Sequence, residues 1–284
     1  MRRYVLAAAM VGAAFGAQAA DMPDLPLRGS IAPLPVRSWD GWYAGGQASY
    51  SAVGADFSKS IVGLSNFIFR DSVLAQPTSN FSLLSKTTTQ GTGFGGFVGR
   101  NWQWDDLVFG LEANYNYFGS LSTSTSASNS LLIPQPPTPT SITTYGVTLT
   151  GRAAVQLKDA IAFRARTGWA VGDFLPYVFG AAVVGRMDVS RSVTSSVTRR
   201  DDAIDPVTGA VTIGPTLPVP AQSQTLIEHR TDAFVAGWAG GLGLEYCLWG
   251  GLFMRGEWEY VKFLSVKDTV VQANNLRVGL GYKF

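Results

Sequence analysis

The chain has 284 residues, of which 46% are hydrophobic, 12% are aromatic and only 15% are charged. A typical soluble domain has about 25% charged residues, so this composition favours a protein that is solvated partly by lipid. The net charge of +2 is too small to indicate a nucleic-acid partner. The single cysteine, Cys247, excludes an internal disulfide and a cysteine-based metal cluster.

The first residues have the layout of a secretory signal peptide. Arg2 and Arg3 form a basic start, an apolar run follows, and the small residues Ala17 and Ala19 supply a cleavage site. The apolar run is too short for a membrane-spanning helix. We therefore expect a signal peptide at 1–19, followed by a proline-rich periplasmic leader at 20–40.

From residue 41 onward, the hydrophobic pattern has the period of a β-strand. In the last segment, Leu276, Val278 and Leu280 share one face, whereas Arg277 and Gly279 share the other. The same alternation predicts eight strands, at 41–50, 93–103, 109–117, 161–171, 175–186, 234–246, 252–263 and 275–284. Each is long enough to cross a bilayer at a tilt, which takes roughly 9–11 residues.

The apolar faces of these strands are predicted to face lipid, and the opposite faces to line a narrow interior. On the fifth strand, this rule places Leu175, Tyr177 and Phe179 on the lipid side, with Ala181 and Val183. Aromatic side chains on the lipid faces predict girdles at the lipid–water boundary. The girdle residues are Trp42, Trp102, Tyr117 and Trp258.

The connections between the predicted strands alternate between short and long. Long connections lie at 52–90, 120–158 and 188–231. The second is rich in Ser, Thr and Pro, which predicts a mobile or extended loop, and the prolines at 201–220 in the third oppose a central strand. Short periplasmic turns and long extracellular loops are typical of outer-membrane barrels, and an even strand number places both termini in the periplasm. We therefore predict an all-β fold over 41–284, an eight-stranded antiparallel up-and-down transmembrane β-barrel with long extracellular loops.

Charges on the inward faces are predicted to pair, because an unpaired charge in a dry interior costs several kcal/mol. Glu112 faces Arg164 and Arg166 on the next predicted strand, and Glu257 and Glu259 face Arg277 on the last one. Arg255 shares the inward face of the glutamates. These seven residues form the predicted interior ion-pair set.

Three motifs have a competing functional reading. His229 is the sole histidine and would be the base of a lipid-modifying barrel enzyme, but no nucleophile elbow lies near it. The segment 91–96 matches the glycine pattern of a dinucleotide site, but strand periodicity follows it where a helix is needed. The segment 233–254 is apolar enough for a spanning helix, although its glycines and alternation oppose one. We expect no catalytic, cofactor-binding or metal-binding residues.

Several stretches resemble one family. They are AADMPDLP after the signal peptide, WDGWYAGGQASYS, GGFVGRNWQW, GLEANYNYFG, RARTGWAVGDFLPYVFGAAVVG and the terminal LRVGLGYKF. Together they resemble the alphaproteobacterial small outer-membrane barrels, porin-like surface antigens with the OmpA-type transmembrane fold. Phe97 and Arg100 depart from the pattern, since an aromatic faces inward and an arginine faces lipid.

The resemblance implies a non-enzymatic protein of the Gram-negative outer membrane that supports envelope integrity and surface contact. A narrow porin-like channel is the alternative, and a lipid-modifying barrel enzyme is a third hypothesis. The expected partners are outer-membrane lipid, lipopolysaccharide and the barrel-assembly machinery, with an unknown surface ligand of the loops and no nucleic acid.

The last strand resembles the tag that the barrel-assembly machinery reads, with Leu280, Tyr282 and Phe284 as its outward residues. We predict that Phe284→Ala lowers the yield of assembled protein in the outer membrane. Heat-modifiable gel mobility and abundance in membrane fractions measure that yield. An unchanged yield would contradict the assembly-signal interpretation.

Overall fold

The computed structural model of the protein describes residues 38–75 and 83–284. The predicted signal peptide and nearly all of the predicted leader lie outside these residues. The described part forms ten strands, one α-helix and one 3-10 turn at Pro220–Gln222. The elements are β1 Gly41–Asp56, α1 Val62–Phe69, β2 Lys86–Trp104, β3 Leu107–Pro134, β4 Ser141–Trp169, β5 Phe174–Ile204, β6 Val211–Thr212, β7 Thr216–Pro218, β8 Thr225–Trp249, β9 Leu252–Phe263 and β10 Val270–Lys283.

Eight of the strands close into a ring by antiparallel pairing. The hydrogen-bonded order is β4, β3, β2, β1, β10, β9, β8 and β5, and β4 pairs with β5 to complete the ring. The two short strands β6 and β7 pair only with the outer end of β5. The predicted eight-stranded barrel is thus confirmed, and closure leaves no unpaired backbone edge where the wall meets lipid.

We call the end of the barrel with the turns between β2 and β3, β4 and β5, and β8 and β9 its lower end. Over the lower part of the barrel, polar side chains face the lumen and apolar side chains face outward, which is the reverse of a soluble protein. On β1, Trp42 and Tyr50 are exposed on the outer surface, whereas Gln47 and Ser49 are buried inside. Phe94 on β2 points outward with 66% of its surface exposed. Such a surface is stable only if lipid covers it, because exposed apolar area is unfavourable in water.

The predicted orientation of the fifth strand is wrong. In β5, Tyr177 and Phe179 are buried inside with the neighbouring odd-numbered residues, whereas Val178 points outward. The Tyr177 hydroxyl donates a hydrogen bond of 2.5 Å to Glu257, and the Phe179 ring lies 4.4 Å from the Arg164 guanidinium. These rings serve as partners of interior charges, a role that their apolar character does not reveal.

Most of the predicted extracellular loops are in fact strands. The hairpin of β3 and β4 occupies most of 120–158, and β5 and β8 occupy most of 188–231. Along this part of β4, Val147, Leu149 and Val155 are buried and alternate with more exposed threonines and other polar residues. Threonine and valine both favour strands, so a Ser/Thr-rich composition did not require a loop.

The longer strands make the barrel wall uneven in height. β3, β4, β5 and β8 have 28, 29, 31 and 25 residues, whereas β1, β2, β9 and β10 have 16, 19, 12 and 14. Four neighbouring strands therefore rise as a tall wall above the shorter half of the ring. The segment after β1, which contains α1, packs against the inner side of that wall.

The opposite end of the barrel has the predicted tight turns. Asp105, Gly172 and Gly250 occupy the left-handed region there, with φ of 50°, 60° and 56°. Glycine adopts this conformation without a steric cost. The apolar segment 233–254 belongs to β8 and β9, and within the described residues no helix is long and apolar enough to cross a membrane.

Candidate functional site: the barrel lumen

A layer of eight ionised side chains fills the lower half of the lumen. Each of the eight residues is at most 5% exposed, and their formal charges cancel, four against four. They come from five strands: Glu112 on β3, Arg164 and Arg166 on β4, Glu245 on β8, Arg255, Glu257 and Glu259 on β9, and Arg277 on β10. The layer is therefore a neutral network that ties together non-neighbouring parts of the wall.

Arg164 lies at the centre of this network. Its Nη2 atom is 2.5 Å from Glu259, and its Nη1 atom is 3.0 Å from Glu257 and 3.3 Å from Glu112. Glu112 also accepts a hydrogen bond of 2.7 Å from Arg255. Shared partners of this kind satisfy several donors at once, which is the condition for keeping buried charges stable.

Two further pairs have bidentate geometry. Arg166 donates to both carboxylate oxygens of Glu245 at 2.5 and 3.1 Å, and Arg277 donates to both oxygens of Glu259 at 2.8 and 2.6 Å. The planar guanidinium matches a carboxylate in this arrangement, which fixes both side chains.

Neutral polar groups add further hydrogen bonds to the network, although the buried Nε atoms of Arg164, Arg255 and Arg277 have no partner among the residues that the structure describes. Tyr43 donates to Glu112 at 3.1 Å, and the Asn275 amide donates to Glu259 at 2.9 Å. Gln47 accepts from Arg255 at 2.9 Å. The network therefore extends from the charges to the adjoining wall.

Aromatic rings close the lumen below the charged layer. Phe97 lies 3.4 Å from the Arg255 guanidinium, an arrangement in which the ring face stabilises the cation. Trp39, Tyr43 and Phe253 pack with Phe97 in one buried cluster at the turn end of the barrel. The inward direction of Phe97 departs from the family pattern and places the ring in this cluster, which we call the aromatic floor.

Glycines on β8 make room for the inward rings of β5. A Cβ atom on Gly241 would lie 2.6 Å from the Phe179 ring, and one on Gly243 would lie 2.5 Å from the Tyr177 ring. A larger residue at either position would displace a ring that contacts an interior charge.

The upper half of the lumen is apolar. Buried valines and leucines of the tall wall, among them Val147, Leu157 and Val193, form one continuous core. Phe57, Ile61 and Phe69 enter this core from the segment 57–75, which we call the plug. The plug thus occupies the lumen above the charged layer.

Arg191 anchors the plug to the wall. Its Nη1 atom donates to the backbone carbonyl of Ser60, and its Nη2 atom lies 2.8 Å from Glu228 on β8. Lys267 lies 3.1 Å from the same carboxylate, and Asp268 lies 3.6 Å from Arg191. One guanidinium therefore joins the plug, β8 and the β9–β10 connection.

A small cavity separates the two halves of the lumen. Its volume is about 10 Å³, and it is lined by Leu157 and Phe263 on the apolar side and by Asn275 and Arg277 on the charged side. That volume is about the minimum for one water molecule.

The predicted ion-pair set meets in the lumen, but some partners differ from those predicted. Arg166 pairs with Glu245, not with Glu112, because it extends past β5 to β8, the second strand along the ring. The main partner of Arg277 is Glu259, and Glu257 lies farther away at 3.7 Å. The predicted set omitted Glu245, although its inward position follows from the alternation of β8.

The predicted girdle residues all lie on the outer surface. Trp42, Tyr117 and Trp258 are exposed, and Trp102 is half-buried beside Arg100. Trp258 faces outward between Leu242 and Leu276 in the strand register. The outward-facing residues proposed as the assembly signal, Leu280, Tyr282 and Phe284, are exposed to the membrane side.

Outward aromatic residues lie eight positions apart on three strands. The pairs are Trp42 and Tyr50 on β1, Phe109 and Tyr117 on β3, and Trp238 and Tyr246 on β8. Eight residues span about 26 Å along a strand. With the tilt of roughly 35–45° found in such barrels, this length corresponds to about 19–22 Å along the membrane normal, somewhat less than their typical apolar band of about 25 Å.

His229 is exposed on β8 opposite Ser190, and the described residues provide it with no hydrogen bond or ion pair. Within those residues, no group of three His, Cys, Asp or Glu side chains could hold a metal ion.

We predict that Arg166→Met destabilises the barrel by about 3–5 kcal/mol, because it removes the bidentate partner of the buried Glu245 and leaves only Arg255, 3.9 Å away. The double variant Arg166→Met/Glu245→Met should recover most of that loss. Urea unfolding in detergent micelles measures both. Arg152→Met, at an exposed arginine of β4, is the matched control and should change stability little. Equal destabilisation by the single and double variants would contradict the pairing.

We also predict that the plug loosens in acid. Hydrogen bonds from Arg191, and the neighbouring Lys267, hold the pKa of Glu228 below its ordinary value. Glu228 therefore contributes stability above the unfolded-state pKa of about 4.3, and the contribution is lost as the pH falls through the lower folded-state pKa. Hydrogen exchange of 57–69, corrected for its intrinsic pH dependence, should rise in that range. Glu228→Gln should show faster exchange already at neutral pH, and a wild-type rate in that variant would contradict the anchoring role.

The match to a family model agrees with this architecture. Residues 5–284 match the model of the outer membrane protein beta-barrel domain family. The alignment with the crystal structure of Neisserial surface protein A covers 86% of this chain and 97% of that protein, at 13% identity and a TM-score of 0.28. Ail, the attachment invasion locus protein of Yersinia pestis, covers 86% and 99% at 9% identity and a TM-score of 0.28.

The N-terminal barrel domain of Pseudomonas aeruginosa OprF covers 83% of this chain and 97% of its own, at 11% identity and a TM-score of 0.25. No curated protein matches the sequence. Because the family model covers nearly the whole chain, the protein belongs to the outer membrane protein beta-barrel domain family.

Proposed function

We propose that this outer-membrane barrel is closed and non-enzymatic, and that it supports the envelope and presents its tall wall for surface contacts. The observation that carries this proposal is the filling of the lumen at three successive levels. The aromatic floor, the neutral layer of eight charges and the apolar plug lie one above another among the described residues.

A conducting path would have to cross all three levels. An ion entering the charged layer would have to displace carboxylates and guanidiniums from contacts of 2.5 to 3.3 Å. The cavity above this layer has room for about one water molecule. Passage therefore requires rearrangement of side chains that hold the wall together, which argues against the channel hypothesis.

The geometry around His229 does not favour the enzyme hypothesis. A general base needs a partner that fixes its ring and tautomer, as the acidic member does in a catalytic triad. His229 is exposed, and no carboxylate holds its ring in the described part of the chain. We therefore assign His229 to the solvated surface of the wall.

We assign the tight turns and both termini to the periplasm and the tall wall to the cell exterior. Above the upper aromatic positions, the outer surface of the wall changes from apolar residues to hydroxyls, with Ser124, Ser126 and Ser128 on successive outward positions of β3. Hydroxyl side chains suit contact with water and with the sugars of lipopolysaccharide. The barrel-assembly machinery and an extracellular ligand of the wall complete the proposed partners.

Purified protein in planar bilayers should show no steady single-channel openings. A variant with the plug residues 57–75 replaced by a short Gly/Ser linker should also stay silent, because the charged layer and the aromatic floor remain. Combining the plug replacement with serine at Arg164, Arg166, Glu245 and Glu259 and alanine at Phe97 and Phe253 opens all three levels, and this variant should produce openings if the barrel still inserts. Steady openings of the wild-type protein would overturn the closed-barrel proposal and favour the channel.

A further inference from the structure

Arg100 is an arginine on the lipid-facing surface of the barrel. It lies on β2 between Trp42 of β1 and Leu111 of β3, both of which are exposed on the outer face. Its neighbours on that face are apolar. The ion-pair network inside the barrel does not include it, so its charge needs a different explanation.

Two tryptophan rings frame the Arg100 guanidinium. Its central carbon lies 5.7 Å from the Trp42 ring centroid and 5.5 Å from the Trp102 ring centroid. The Nε atom is buried and has no hydrogen-bond partner, and none of the described carboxylates forms an ion pair with the side chain. The rings thus hold the cation in place, and among the described residues no protein group accepts hydrogen bonds from its terminal Nη atoms, which remain for an oxygen ligand.

The position of Arg100 along the strand corresponds to a membrane boundary. It lies two residues from Trp102 and four from Trp104, close to the tight turn that follows β2. Tryptophan collects at the headgroup level, and a charged residue there costs only about 0–1 kcal/mol. The guanidinium is therefore placed where phosphate groups of the adjoining leaflet lie.

An apolar furrow leads from Arg100 toward the middle of the membrane. Its lower part has a volume of about 520 Å³ and contains Arg100 and Trp102, with Val98, Ala113 and Phe163 along its walls. Its upper part, of about 420 Å³, shares Val98 and Ala113 and continues to Gly96. From Arg100 to Gly96, the furrow runs about 13 Å along the strand.

We propose that Arg100 and this furrow form a binding site for one anionic phospholipid of the periplasmic leaflet. The headgroup phosphate accepts hydrogen bonds from the guanidinium, and an acyl chain lies in the furrow over Ala113. Arginine suits this role because its planar fork can donate two hydrogen bonds to a phosphate. The choice of leaflet rests on the proposed orientation, with the tight turns in the periplasm.

Native mass spectrometry of the full mature protein in detergent, titrated with dioleoylphosphatidylglycerol, tests the site. The wild-type protein should retain one such lipid more tightly than dioleoylglycerol, which has the same chains without the phosphate. Arg100→Gln should weaken this binding by about tenfold or more, as expected when charge-assisted hydrogen bonds are lost. Ala113→Leu should also weaken it, because the added side chain fills the furrow without changing the charge.

Arg152→Gln is the matched control, since Arg152 is an exposed arginine on the outer face of β4, outside the furrow. It should bind the lipid as the wild type does. Heat-modifiable mobility verifies that each variant is folded, and Arg100→Lys, which keeps the charge but loses the fork, should bind with intermediate affinity if Arg100→Gln fails to fold.

Three outcomes would overturn the proposal: wild-type affinity in Arg100→Gln, equal retention of dioleoylglycerol, or displacement of the lipid by inorganic phosphate alone, which would indicate a free-anion site. Silent bilayers with no selective lipid binding would leave the closed-barrel function standing. Steady openings together with selective lipid binding would overturn the closed-barrel function and leave the lipid site standing.

Discussion

The structure depends on the requirement that charges removed from water must have partners. Lipid covers the outer surface of the lower barrel, so the charged side chains of β3, β4, β8, β9 and β10 have only the lumen to enter. Four arginines and four glutamates fit there because each carboxylate serves more than one donor or is held in a bidentate pair. The eight-stranded ring is narrow enough to bring these side chains together across its diameter.

The solvent outside the wall determines which face of a strand is polar. Near the tight turns, β4 sends Arg164 inward and Phe163 outward, whereas farther up it sends Val155 inward and Arg152 outward. The lower part is thus built for lipid and the upper part for water, on the same continuous strand. A soluble-type core with an apolar plug therefore sits directly on top of a membrane-type core of ion pairs.

Irregularities in three strands mark the change from one arrangement to the other. The register shifts between Tyr117 and Leu121 where β3 meets β4, and between Leu157 and Asp159 where β4 meets β5. On β8, Asp232 has a φ of 51°. An extra residue in a strand reverses which positions face inward. Each bulge therefore turns a row of apolar residues from the lumen side to the outer side at the level where water gives way to lipid.

These bulges explain which parts of the fold could be predicted from the sequence. Below them, alternation is uninterrupted and indicates the eight strands and most of the inward charges. Across them, the apolar residues of β4 keep the same alternation from Val155 to Phe163, but the bulge turns them from the lumen to the outer side, which the sequence pattern alone does not show. The upper strands are also rich in Ser and Thr and therefore resemble loops. Arg166 shows a second limit, since its partner Glu245 lies on a strand that is not adjacent and depends on the width of the lumen. Tyr177 shows a third, because an aromatic ring serves lipid or an interior cation equally well.

The filled lumen leaves the outer surface as the part of the molecule that is free to interact. In the membrane, that surface is apolar except near its boundaries, and Arg100 lies at one of these boundaries without joining the interior network. Inside the barrel, an arginine is fixed by carboxylates of the chain itself, so its position is explained by folding alone. On the outer face, no described carboxylate pairs with Arg100, and only a group supplied by the surroundings can accept its hydrogen bonds. The requirement that a charge removed from water must have a partner therefore points to a phosphate of the lipid beside Trp42 and Trp102.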